Sequence, residues 1–263
     1  MTRKSVTLAV SLILSLVACN ATGPTKTLTV LAAASLTESF SDLGRQFEAA
    51  HPGAKVIFNF AGSQQLIAQL EQGARADVFA SASVKDMNAA ISASLVASGT
   101  VRIFAHNQLV IIYPFNNPGK IAALTDLARP QLKLVIADAA VPVGQYTLDM
   151  LAKMSHDPTL GPDFEERVLA NVVSREENVK SIVSKIRLGE GDAGVVYKSD
   201  ATGQAAQELG TIEIPDSLNQ TASYPIAPLT SSPEPELARQ FIDLVLSPTG
   251  QKVLTQYGFI PVQ

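Results

Sequence analysis

Cysteine is nearly absent from this chain: Cys19 is the only one in 263 residues, so no disulfide can form within it. Histidine is scarce as well. His51, His106 and His156 stand far apart, and no His and Cys spacing fits a metal site. None of the three is obviously paired with a serine, and each reads as a surface or turn residue. No G-x-S-x-G elbow occurs, which leaves a secreted serine hydrolase with Ser35 or Ser63 as nucleophile poorly supported. The residues thus indicate neither a catalytic group nor a metal site. Lysine and arginine are scattered rather than run together, and a net charge of -4 with a pI near 5.4 offers no field for nucleic acid. There is no repeat of short period, and nothing encodes a DNA-binding helix pair or a signalling domain. What remains is 46% hydrophobic and 17% charged, in a chain long enough for two domains or one large one.

The first residues read as an export signal. Arg3 and Lys4 precede an apolar segment, residues 6–17, too short to span a bilayer comfortably. Its end, Leu16-Val17-Ala18-Cys19, resembles the lipobox of bacterial lipoproteins, in which cleavage leaves the cysteine N-terminal and lipidated. The alternative for any lone cysteine is a buried thiol. Residues 1–19 are thus expected to be a signal peptide, Cys19 a lipid anchor, and polar residues 20–26, with Gly23-Pro24, a tether.

The mature chain is organised around residues 30–38, VLAAASLTE. An apolar run over residues 28–34 has the length of a buried strand, and Ser35 stands where it gives way to a helical period of Leu36, Phe40, Leu43, Phe47 and Ala50. Ser35 therefore reads as a helix cap, with capping-box spacing to Glu38. A strand running straight into a helix also leaves backbone N–H groups facing a cleft, where an oxyanion can replace water. The same arrangement returns at Ala61-Gly62-Ser63, after a strand at residues 55–60. Strand, helix, strand implies a parallel sheet, and two such serines would lie at its carboxyl edge, where open α/β sheets bind ligands. Residues 76–83, ADVFASAS, give a third strand ending in small residues; for Ala82, packing on a helix and facing a ligand are equally good readings.

A second round of the same architecture follows residues 107–113, NQLVIIY, where the first domain crossing is placed. A strand at residues 132–137 leads into Val141-Pro142-Val143-Gly144, which opens a helix; backbone N–H groups there, with Pro142 fixing the approach, make another candidate anion seat. Ser174 and Glu177 have capping-box spacing before an apolar face of Val179, Ile182, Val183 and Ile186. Residues 192–197 form a strand ending in Tyr197, an apolar ring with a polar tip that more often sits in a core than on a ligand. Alternation sends Lys198 to the other face. A strand at residues 225–229 and the two last helices return to the first domain. The expected division is 27–106 with 223–263 for the first lobe and 107–222 for the second.

These pieces together resemble the periplasmic molybdate-binding proteins of ABC transporters. The likeness runs through LTVLAAASLTESF, AGSQQLIAQLEQGARADVFASAS, VPVGQYT, the ENV of the helix after Ser174, AGVVYKSDA and SPTGQKVLTQYGF. The resemblance implies an α/β, two-lobed type II binding-protein fold, each lobe a mixed, mostly parallel sheet flanked by helices. It implies an oxyanion between the lobes, held by the hydroxyls of Ser35 and Ser63, backbone N–H groups at Val143 and Val179, and the hydroxyl of Tyr197, with Ala82 lining the site. It also implies a binding protein with no catalytic residue and no cofactor, hinge closure, a monomer, and a membrane permease as partner. The family often has Ala where Val143 stands, which keeps the backbone donor and alters the wall.

The chemistry closes on the same point. A tetrahedral dianion offers acceptors and no proton, so a site built only of donors suits it. Monohydrogen phosphate brings its own proton and calls for an acceptor, which none of these positions carries. Sulfate makes the same demands as molybdate and tungstate and differs in size, so a receptor for sulfate or another tetrahedral oxyanion is the alternative.

Overall fold

The computed structural model describes residues 26–203 and 205–262. The first round of elements is β1 (Lys26–Ala33), α1 (Thr37–Ala50), β2 (Ala54–Ala61), α2 (Ser63–Glu71), β3 (Val78–Ala80) and α3 (Val84–Ser92). A long strand, β4 (Arg102–Pro114), leads to β5 (Leu134–Ala137), α4 (Pro142–Met154), α5 (Phe164–Leu169), β6 (Val172–Glu176), α6 (Val179–Arg187) and β7 (Ala193–Tyr197). The chain ends through α7 (Ala205–Glu208), β8 (Leu209–Glu213), β9 (Thr221–Pro228), α8 (Pro235–Leu246), α9 (Pro248–Gln256) and β10 (Ile260–Pro261).

Among the described residues the strands run in the order β2, β1, β3, β9, β4, β7, β5, β6, with β8 and β10 also on β4. β1 is parallel to β2 and β3, and β5 is parallel to β6 and β7. The joins are antiparallel: β9 to β3, and β4 to both β9 and β7. The two parallel groups account for the continuous apolar runs, because such strands are covered on both faces. In β1, Leu28, Val30 and Ala32 pack with Phe40, Leu43 and Phe47 of α1, whereas Leu31 turns to a second cluster with Leu66, Phe79 and Met87.

β4 is the spine shared by both halves. Arg102 to Gln108 pair with β9, and Leu109 to Pro114 pair with β7 and β8. Two buried asparagines satisfy the backbone where the partners change. Asn107 Oδ1 accepts from Gln108 N at 3.0 Å, while Asn219 Oδ1 accepts from Leu109 N at 3.1 Å and its Nδ2 donates to Leu109 O at 2.9 Å. Buried amides paired in this way spare the crossing an unsatisfied polar group.

Several local expectations are corrected. Ser35 does not cap α1: it lies inside a 3-10 turn, Ala34–Leu36, that precedes the helix, and Glu38 turns away toward Lys180. Ser63 is the first residue of α2, with Gly62 before it. No capping box joins Ser174 to Glu177, because residues 172–176 are a strand; α6 starts later and is capped by Asn178, whose side chain accepts from Ser181 N at 3.0 Å. His106 is paired with a serine, its Nδ1 3.0 Å from Ser223 Oγ across the β4–β9 ladder.

Candidate functional site

Each proposed contact lies at the carboxyl end of a strand in one of the parallel groups. Ser35 follows β1, Ser63 follows β2 and Ala82 follows β3; Val143 follows β5, Val179 follows β6, and Tyr197 is the last residue of β7. All six line one cavity where the two halves of the sheet meet. About 20 Å³ of it is open to the centre of a water-sized sphere. By that measure one water takes roughly 10–15 Å³, so the space suits a small inorganic guest.

The local folding explains why these positions carry free donors. The first N–H groups of any helix have no acceptor within it. In α4 Pro142 occupies the first position, where its missing N–H costs nothing, and Val143 and Gly144 follow. Gly144 is required there: a Cβ would lie 1.9 Å from the carbonyl oxygen of Asp138. In α6 the Asn178 cap takes the N–H of Ser181, leaving those of Val179 and Lys180 outside the helix's own ladder.

The side chains add hydroxyls. Ser63 Oγ accepts the N–H of Ala82 at 3.0 Å, so that N–H is spent on the serine and the serine's own proton is left over. Ser35 Oγ lies 2.9 Å from the hydroxyl of Tyr224. Tyr197 is buried, and its hydroxyl has no hydrogen-bond partner among the described residues. Burial, followed by the neighbouring Tyr224 and Tyr146, pushes its phenol well above the usual range, so it keeps a proton that it can donate. Ala33, Ala34 and Ala61 complete the wall on the first lobe, and no charged side chain lines the cavity. Helix N-termini, hydroxyls and the amide of Asn178, which caps α6, are the polar groups along it.

The lobes touch around this space. Gln64 Nε2 donates to the carbonyl oxygen of Glu177 at 3.0 Å, and Gln65 Nε2 donates to the Glu177 carboxylate at 3.0 Å. Lys180 Nζ lies 2.7 Å from Glu38 and 3.0 Å from the buried Asp200. Burial works against the Lys180 charge, but Asp200 and Glu38 outweigh it and raise its pKa.

Residues 28–260 match the family described as bacterial extracellular solute-binding protein. The chain belongs to that family. The solute-binding protein is 38% identical over 258 residues to the molybdate-binding protein ModA of Mycobacterium tuberculosis, with 94% of each chain covered. Its fold is shared with the sulfate-binding protein SubI of M. tuberculosis, at a TM-score of 0.81 and 20% identity over 90% of this chain and 88% of the other. It is shared as well with the periplasmic molybdate-binding protein of Azotobacter vinelandii, at a TM-score of 0.76 and 21% identity over 90% and 100%.

Sequence reading missed three contributors to this solute-binding protein's site. Gly62 brings the lobes together, and its position directly before Ser63 was the available signal. Asn178 lines the cavity and caps α6; it stands next to Val179 in the ENV stretch. Tyr224, behind Ser35, had only the weak signal of a polar-tipped ring within a buried strand. None of the three histidines lines the cavity, and the His106–Ser223 pair lies outside it. Cys19 falls outside the described residues. Among them, no helix is long and apolar enough to cross a membrane.

Proposed function

We propose that this protein captures molybdate, and tungstate with it, outside the cytoplasmic membrane and delivers it to an ABC importer. The observation that carries the reading is the cavity wall: uncharged donors from both lobes converge on it without an acidic or basic side chain. Ser35, Ser63 and Tyr197 supply hydroxyls, Val143 and Val179 supply backbone N–H groups, and Ala82 holds Ser63. A dianion there is stabilised by aligned N–H dipoles in a medium of low dielectric constant, where fixed partial charges act strongly. Each hydrogen bond to a charged acceptor is worth roughly 1.5–3 kcal/mol, enough in sum to offset lobe closure. The similarity to molybdate-binding ModA supports the choice of anion.

Sulfate is the second reading, favoured by the fold shared with SubI. It has the same hydrogen-bonding demands and a smaller radius, so size alone separates the two. Calorimetric titration with molybdate, tungstate and sulfate decides between them. Molybdate is expected to bind with sulfate present in large excess, and Ser35→Ala and Ser63→Ala are each expected to weaken it about tenfold or more. Unchanged molybdate affinity in both variants would end the assignment.

In this reading the closed, loaded form is what a membrane permease accepts, the protein acts as a monomer, and Cys19 tethers it to the membrane through lipid. Cys19→Ala is then expected to move the protein from the membrane fraction to the soluble one.

A further inference from the structure

Both serines that line the cavity have an oxygen lone pair engaged from behind. At Ser63 the direction is fixed, since the N–H of Ala82 can only donate. At Ser35 the partner is the hydroxyl of Tyr224, at 2.9 Å, and either oxygen could give the proton. Acidity chooses between them.

Tyr224 lies on β9, is 0% exposed and does not line the cavity. Its ring is held edge-on by Tyr197, Phe104 and Phe259, with centroids 5.7, 6.2 and 5.3 Å away. The two oxygens lie 2.9 Å apart and away from solvent, and a phenol is a better acid than an aliphatic alcohol, hence the stronger donor of the two.

We infer that Tyr224 is a positioning residue of the anion site, giving its phenolic proton to Ser35 Oγ so that the Ser35 hydroxyl turns its single proton to the guest. Ser63 is set the same way by Ala82. Each serine then has one lone pair engaged and its single proton directed to the guest. The inference rests on Ser35 being a ligand of the oxyanion, as proposed above. Without the Tyr224 proton the Ser35 hydroxyl is free to turn inward and donate to another oxygen.

A double-mutant cycle tests it, with molybdate affinity measured by calorimetry in wild type, Tyr224→Phe, Ser35→Ala and the double variant. The expected result is a loss of about fivefold or more for Tyr224→Phe alone and little further loss when it is added to Ser35→Ala, because coupled residues are not additive. An equal loss in both backgrounds would show a packing role only and overturn the inference, as would no loss in the single variant. A Ser35→Ala variant with full affinity would remove Ser35 as a ligand of the oxyanion, and the relay with it, while Ser63→Ala still tests the oxyanion reading. Should Tyr224→Phe fail to fold, 2,3-difluorotyrosine placed at position 224 keeps the shape and strengthens the donor. Tighter molybdate binding is expected, and unchanged binding overturns the relay.

Discussion

Lys180 on the second lobe holds its ammonium 2.7 Å from the carboxylate of Glu38 on the first, and 3.0 Å from that of Asp200 on its other side. The two partners differ in surroundings: the Glu38 side chain is 52% exposed and that of Asp200 is 0% exposed. An exposed pair contributes at most about 1 kcal/mol and is screened by salt. Glu38→Ala is therefore expected to weaken anion binding no more than about fivefold, an effect that fades as salt is added during calorimetry.

Lys180→Met is a different experiment, because it leaves the Asp200 carboxylate buried without its cation. Breaking such a pair costs about 3–5 kcal/mol. Urea denaturation of the unliganded protein is expected to show that loss, far above the effect of Glu38→Ala.

The same variant has a pH signature. Burial raises the pKa of Asp200 above 3.8, and Lys180 opposes the rise. A carboxyl whose folded pKa exceeds the unfolded one favours folding below the unfolded value, and that contribution is lost as pH rises through the folded value. Removing Lys180 moves the folded value up and extends the loss to higher pH. The stability gap between Lys180→Met and wild type is thus expected to be smaller at about pH 5 than at about pH 8, read from denaturation curves at each.

Gly62 separates closure from folding. Its backbone conformation suits any residue, yet a Cβ would stand 2.6 Å from the carbonyl oxygen of Glu177 on the opposite lobe. Gly62→Ala is expected to leave the melting temperature of the unliganded protein within a few degrees of wild type while weakening the anion at least about tenfold, because only the closed state is penalised. A large fall in melting temperature with normal affinity would contradict this.

Gly144→Ala is the contrasting case, since its Cβ would meet the Asp138 carbonyl within one lobe. A stability loss above about 2 kcal/mol is expected in urea denaturation, with or without ligand.

The sequence carried the ends of β1, β3 and β5 well, because strands covered on both faces read as apolar runs and these stop at alanine. Ser35, Ser63, Val143 and Tyr197 were legible as strand ends or helix starts, whereas the start of α6 at Val179 was not. What escaped was set by distant partners. Ser35 looked like a cap because Glu38 stands three residues on, yet Lys180, from the other lobe, takes that carboxylate. Residues 172–176 were hidden because a strand there ends only two residues before the first turn of α6. The antiparallel joins of β9 to β3 and β4, and Tyr224 on β9, depend on pairing over more than a hundred residues, which no local period encodes.

The most direct measurement is a crystal structure grown with molybdate. The oxygens of the anion are expected within about 3.2 Å of Ser35 Oγ, Ser63 Oγ, the Tyr197 hydroxyl and the first N–H groups of α4 and α6. A lysine or arginine side chain coordinating the anion, or an anion bound elsewhere, would contradict capture by neutral donors.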